Sequence, residues 1–301
     1  MKIAIAGLGR MGMQIARKLA EDGHEVIAQN RHTDKVDQAV TYGAKAAYKK
    51  DDVIKAFDGQ QLVIWLMIPA EVIDDELDAW LKLMPKGSIV IDGGNSDFRL
   101  DEERKEKVVT AGSTLLDIGT SGGVWGYQNG FCMMVGGNET DFKTVEPALK
   151  TLAAPTGGYD YFGPNGSGHF VKMVHNAIEY GMMQSLADGY LILKEGPFRD
   201  LDLGKAGAVW QKKSVITSWL NQLAAEALAE NPQLAGIDGK VAENGEARWT
   251  LEVAKAMNIP MPAVQSSLDV RIASQKGEIN FGTKLLAAIR NKFGGHEINP
   301  Q

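Results

Sequence analysis

Cysteine is almost missing: one residue, Cys132, in a chain of 301. A single thiol excludes an internal disulfide and suits a reducing compartment, so a cytoplasmic protein is expected. Long apolar runs are missing too, and none approaches the ~20 residues that a membrane-spanning helix needs. There is no excess of positive charge. Thirty-two Lys and Arg stand against 38 Asp and Glu, and the net charge of −6 argues against nucleic acid or an anionic membrane as partner. A leader peptide is not expected, because the apolar start Met1–Leu8 is broken by Lys2 and runs into a glycine turn. Internal repeats and low-complexity tracts are absent as well.

What remains is an ordinary globular composition, 44% hydrophobic and 23% charged. The length suits two domains, since single cores stop growing near ~250–300 residues. The first half alternates. Short apolar runs at 2–7, 24–30, 62–69, 88–94 and 114–119 read as strands, separated by helical or charged segments such as 71–84 and 100–111. The runs are nearly all apolar, as expected for a parallel sheet covered on both faces. "GFCMMVGG" reads as a further buried strand, with Cys132 packed inside it. "PTGGYDYFGPNGSG" (155–168) reads as a junction. Beyond it, helical patterns run over about 168–195, 201–212, 213–230, 246–257 and from Pro262 to about Lys276. The sequence thus predicts an α/β dinucleotide-binding domain over 1–164 and an all-helical domain for substrate and self-association over 165–301.

"AGLGRMG" places Gly7, Gly9 and Gly12 directly after the first strand and before the first helix. Gly7 permits the tight turn, Gly9 lets a pyrophosphate approach the backbone, and Gly12 lets helix and strand pack closely. With Leu8, Arg10 and Met11 they open a Rossmann-like, doubly wound sheet, whose first helix points its free N–H groups at the phosphates. The second strand ends in Gln29-Asn30-Arg31-His32-Thr33, with no carboxylate before Asp34. Lacking the acid that holds a ribose 2′-hydroxyl, and carrying Arg31, the motif favours NADP over NAD.

"FVKMVHNAIEY" (170–180) sets Lys172, Asn176 and Glu179 on one helical stripe, flanked by His175 and Tyr180, among apolar neighbours. One amine and one carboxylate with neutral hydrogen-bonders suit a base–acid pair, although a solvated charged face is the plainer alternative. "DGGNS" puts Asn95 at the carboxyl edge of the sheet, where open α/β folds bind ligands. "DIGTSGGVWG" offers Ser121 and the backbone N–H groups of Gly122 and Gly123, a nest suited to a carboxylate. No spacing of His, Asp and Glu demands a metal.

Taken together, "GLGRMG", "DGGNS", "GTSGGVWG", "GHFVKMVHNAIEYGMMQ" and "RNKFGGH" resemble the 6-phosphogluconate dehydrogenase family in its short form, from Lys2 to His296. The wider relatives are the β-hydroxyacid dehydrogenases. The resemblance implies that Lys172 is the general base toward the C3 hydroxyl and Glu179 the acid that protonates C1 after decarboxylation. Asn95, Ser121, Gly122, Gly123, His175 and Asn176 would hold the carboxylate and hydroxyls, and Met67 and Pro69 would lie near the nicotinamide. Tyr180, Arg290 and His296 would serve the far end of the substrate, the last two from a partner subunit of a homodimer or homotetramer.

The chain departs from the family at that far end. Gln211 and Thr217 in "WQKKSVITSWL" stand where arginines are expected, and Glu246 in "ENGEARW" stands where a hydroxyl or basic donor is expected. Lys212 or Lys213 could compensate, though without the planar fork of an arginine. The C6 group could therefore be a phosphate, a sulfonate or a hydroxyl. A dehydrogenase that stops at the keto acid, and an inactive dinucleotide-binding regulator, are the other readings.

Overall fold

Eight strands form one sheet in the order β3-β2-β1-β4-β5-β6-β7-β8. In the computed structural model, which describes residues 1–295, they are β1 Lys2–Ala6, β2 Glu25–Gln29, β3 Lys45–Ala47, β4 Val63–Leu66, β5 Ile89–Asp92, β6 Thr114–Ser121, β7 Cys132–Gly137 and β8 Gly158–Gly163. All neighbours are parallel except β6 and β7, which run antiparallel. β4 and β5 are buried throughout and β1 from Ile3 onward, as their largely apolar content requires of a doubly covered sheet.

The helices between them are α1 Arg10–Glu21, α2 Thr33–Val40, α3 Lys50–Phe57, α4 Ile73–Leu81, α5 Asp101–Thr110, α6 Gly126–Asn129 and α7 Glu139–Ala153. α1 buries Ile15, Ala16 and Leu19, one apolar stripe at helical spacing. Two strands depart from the sequence reading. β3 has three residues, two of them exposed, and shows no apolar run. β8 lies inside the expected junction, where Tyr159 and Tyr161 alternate with exposed neighbours as an edge strand does. Cys132 is exposed rather than packed inside, because it opens β7 and the buried run begins at Met133.

The helices that follow are α8 Ser167–Glu195, α9 Leu203–Trp210, α10 Trp219–Glu230, α11 Glu246–Ala256, α12 Pro262–Gln275 and α13 Phe281–Gly294. The chain divides into two compact units, Met1–Met173 and Val174–Gln301, with the division inside α8. The second unit has a core of its own, including Met183, Ala187, Tyr190, Leu223, Leu228, Leu285 and Ile289. α13 belongs to that core through Leu285, Leu286 and Ile289. Asn280 and Thr283 form a capping box at its start and set its apolar face inward.

α8 enters against the sheet at Gly168. A Cβ there would stand 2.5 Å from the carbonyl oxygens of both Asp117 and Met134. Gly168→Ala is expected to destabilise the chain by about 1–3 kcal/mol, the cost of overpacking where backbone must shift. Denaturant unfolding followed by circular dichroism measures it, and an unchanged midpoint would refute the close approach.

Candidate functional site

The glycine turn after β1 has the shape a dinucleotide requires. Gly7 has φ +95°, and a Cβ on Gly12 would meet the Gly7 carbonyl oxygen at 2.0 Å, so both positions exclude a side chain. Gly9 has nothing within 4 Å of its Cβ position, which leaves the backbone open to an incoming group. α1 starts there with no side-chain cap, so its first N–H groups are available to an anion. Asn30, at the end of β2, accepts a hydrogen bond from the Leu8 N–H at 3.1 Å and pins the turn. Arg31 is exposed beside it, with its Nε 3.1 Å from His32 Nε2. Past β4, Met67 is half-buried against Gly12 and Pro69 is exposed. These residues fit the group that the motif implies.

The carboxyl edge of the sheet gathers the next set. Asp92 closes β5; its Oδ1 accepts from Gly94 N–H at 3.0 Å and its Oδ2 from Ser96 Oγ at 2.8 Å, so Asn95 sits exposed between two pinned neighbours. β6 ends at Ser121, followed by Gly122 at φ +132° and Gly123 at φ +52°. Lys172 is only 7% exposed and lies against β6. A Cβ on Gly119 would stand 2.2 Å from Lys172 Cβ, so the missing side chain at 119 makes the space for the lysine.

In the second unit, α8 carries His175, Asn176, Glu179 and Tyr180. The Asn176 amide is held at both ends: its Oδ1 lies 2.9 Å from His175 Nδ1, and its Nδ2 donates to Glu246 Oε1 at 2.8 Å. Glu179 is half-buried. Tyr180 is buried; its hydroxyl accepts from the Asn244 N–H at 3.2 Å, and the Arg271 guanidinium lies 3.3 Å from its ring centroid. Arg290 Nη2 donates to Asn244 Oδ1 at 3.4 Å. Burial lowers Arg271 to about 10 and lowers Arg290 as well, while burial raises the Tyr180 hydroxyl. Among the described residues neither guanidinium has a carboxylate within ion-pair distance. Two desolvated cations beside a tyrosine suit an anion.

Arg290 lies in this cluster of its own chain, because α13 packs in the same unit. Thr217 is exposed, and its hydroxyl donates to the Trp210 carbonyl at 3.0 Å; it shares no hydrogen bond with Tyr180. Gln211 is committed to Asn221 at 2.8 Å, inside the helical core. His296 lies outside the described residues. Arg271 was not picked out from the sequence. The available signal was an arginine on the otherwise buried α12 stripe Val264, Ser267, Leu268, Arg271, Ser274.

Residues 2–163 match the family model for the NAD binding domain of 6-phosphogluconate dehydrogenase, and residues 168–291 match the 6-phosphogluconate dehydrogenase C-terminal domain. The YqeC protein of Bacillus subtilis (strain 168) is 37% identical over 296 residues, 98% of this chain and 98% of that protein. The NAD(+)-dependent, decarboxylating 6-phosphogluconate dehydrogenase of Haloferax volcanii is 36% identical over 300 residues, 99% of this chain and 98% of its own. The Plasmodium falciparum 6-phosphogluconate dehydrogenase, solved apo, with NADP+ and with 6-phosphogluconate, matches with a TM-score of 0.83 at 27% identity. It covers 92% of this chain, which spans 63% of that longer one.

Inorganic phosphate is expected to raise the melting temperature of the wild-type protein, because a ligand held by the folded state alone stabilises it by mass action. Arg271→Met and Arg290→Met are each expected to remove most of that rise. Scanning fluorimetry across a phosphate titration checks it, and an undiminished shift in both variants would place the anion elsewhere.

Proposed function

The chain belongs to the 6-phosphogluconate dehydrogenase family, and on that premise we propose that it oxidatively decarboxylates 6-phosphogluconate, or a gluconate with a closely related C6 group, to a ketopentose. The observation that carries this reading is Lys172, buried against Gly119 on the same helix that presents Asn176 and Glu179. Seven residues separate Lys172 from Glu179, a rise of ~10 Å along α8. That spacing suits a base at C3 and an acid toward C1 of one bound sugar acid.

A bound nicotinamide dinucleotide supplies the hydride acceptor, and the Gly7–Gly12 turn, Asn30, Arg31, Met67 and Pro69 are the residues that would hold it. Arg31 favours NADP, with NAD as the other cofactor of the family. Lys172 Nζ takes the proton of the C3 hydroxyl as hydride leaves C3. The β-keto acid then loses carbon dioxide, because the new carbonyl accepts the electron pair, and the Lys172 ammonium stabilises the enolate oxygen. Glu179 protonates C1 of the enediol. Asn95, Ser121, Gly122 and Gly123 hold the carboxylate and nearby hydroxyls, with His175 and Asn176 on the sugar chain. Tyr180, Arg271 and Arg290 take the C6 group. Glu246, buried and paired with Asn176, gives a reason to keep a monoanion such as a sulfonate beside the phosphate as the group bound.

Among the described residues no helix is long and apolar enough to cross a membrane, and we place the protein in the cytoplasm. The second unit leaves Ile192, Phe198, Val209 and Met257 more than half exposed, which suits burial against a second copy. Multi-angle light scattering is expected to show a homo-oligomer; a monomer at micromolar concentration would count against that.

The function is tested with 6-phosphogluconate, gluconate and 6-sulfogluconate, each with NADP and NAD, following reduced cofactor and carbon dioxide together. The expected result is equimolar release of both, with Lys172→Ala lowering kcat by about 10²–10⁴-fold, the usual worth of general base catalysis. Reduced cofactor without carbon dioxide would leave a dehydrogenase that stops at the keto acid. No turnover with any acid would favour a dinucleotide-binding regulator.

A further inference from the structure

The first unit also buries an ionic cluster apart from the reacting groups. Asp92, Asp101, Arg104, Asp117 and His169 are five ionisable groups, none more than 2% exposed, lying behind the carboxyl edge of the sheet. Burying ions costs several kcal/mol each unless they are paired in good geometry. Here they are paired. His169 Nδ1 lies 2.7 Å from Asp101 Oδ2, and Arg104 Nη1 lies 3.5 Å from Asp92 Oδ2 and 3.7 Å from Asp101 Oδ1. Arg104 also reaches Asp74 through Nε at 2.8 Å and Nη2 at 3.1 Å.

Asp92, Asp101 and His169 offer ligand atoms within 4.8 Å of one another, the spacing of a metal site. Arg104 and the His169 ring already bring positive charge to both carboxylates, so a divalent ion would be repelled. Burial alone would push His169 down, but Asp101, then Asp92 and Asp117, more than offset it and hold the imidazolium up to about 9. Asp101 is pushed up to about 6 by burial, against the pull of His169.

Every member of the cluster holds a piece of the site. Asp92 pins the residues on either side of Asn95. Asp117, on β6, accepts from the Gly166 N–H at 2.9 Å and the His169 N–H at 3.0 Å, and so holds the entry of α8. Asp101, at the start of α5, holds the His169 side chain, and Arg104 ties Asp101 to Asp92. His169 stands one helical turn before Lys172.

We propose that His169 is a positioning residue for the general base, fixing the first turn of α8, and with it Lys172, against the turn that carries Asn95. It touches neither substrate nor cofactor. The inference rests on Lys172 being the base. A neutral side chain at 169 could still bond Asp101, but it would leave two buried carboxylates facing Arg104 alone and weaken the hold of α5 on the first turn of α8.

His169→Gln and Asp101→Asn test this, in the full chain. Hydrogen–deuterium exchange is expected to quicken in residues 93–97 and 166–176 and to stay unchanged across β1–α1. With 6-phosphogluconate, kcat is expected to fall on the order of 10- to 100-fold, as displaced reacting groups do, while KM and the cofactor Kd stay within about threefold. The difference in stability between wild type and His169→Gln should be full below pH ~6.5 and lost as pH rises through about 9, because the raised group folds with its proton bound. Should His169→Gln fail to fold, Asp101→Asn carries the test alone. Wild-type kcat in a folded variant would overturn the inference, as would parallel loss of kcat and cofactor binding. If the wild type turns over none of the acids, the reading of Lys172 fails instead, and the exchange pattern still decides whether His169 holds the turn.

Discussion

The carboxylate of Asp117 is the contact on which the arrangement of the first unit turns. It sits in the middle of β6, fully buried, and spends its two oxygens on the N–H groups of Gly166 and His169. Those groups belong to the start of α8, where backbone donors lack partners and the helix dipole favours negative charge. A buried acid capping a helix from inside a sheet is possible only if the two backbones nearly touch. Three glycines allow that. A Cβ on Gly136 would strike both Asp117 oxygens at 2.6 Å, one on Gly168 would strike the strand carbonyls, and one on Gly119 would strike Lys172. The position of Lys172 therefore follows from what is missing at 119, 136 and 168 as much as from any bond that the lysine makes.

The second unit solves a different problem. Arg271 and Arg290 are both buried near Tyr180, burial pushes each toward its neutral form, and Arg290 adds to the push on Arg271. Their retention needs a compensating interaction. The face of the Tyr180 ring supplies part of it to Arg271, and the Ala242 carbonyl at 3.3 Å and Met183 Sδ at 3.7 Å supply weak acceptors. None of these answers the full charge of a guanidinium. An incoming anion would do so, and the cost of holding the cations ready is then recovered on binding.

Much of this was legible in the sequence because the signals were backbone signals. The Gly7–Gly12 turn, the unbroken apolar strands β1, β4 and β5 and the length of α8 each follow from local rules of conformation and burial. β3 escaped because three residues carry no period, and β8 because its tyrosines stand among glycines and proline that read as a turn. Arg271 escaped for another reason: a lone arginine in α12 has no local mark, and its role appears only when α8 brings Tyr180 against it. Thr217 stands where the resemblance leads to an expected arginine, and here its hydroxyl closes onto the Trp210 carbonyl. His169 went unremarked because its partners, Asp101 and Asp117, lie 68 and 52 residues away.

The charge around Tyr180 bears on which C6 group fits. Arg271 and Arg290 bring two positive charges, and Glu179 and Glu246 both favour the charged form of each guanidinium. A hydroxyl would leave both guanidinium groups buried and unanswered, at a cost of roughly 1–3 kcal/mol or more for each unmet charged group. It is the poorest occupant. A tetrahedral oxyanion offers several acceptors, which two planar forks can share. Between a phosphate near −2 and a sulfonate at −1, Glu246, like Glu179, favours the smaller charge. It opposes the second charge of the dianion, and its bond to Asn176 keeps it in place rather than letting it swing away. The number of arginines thus argues for an anion, while the carboxylates near them work against a high negative charge on it.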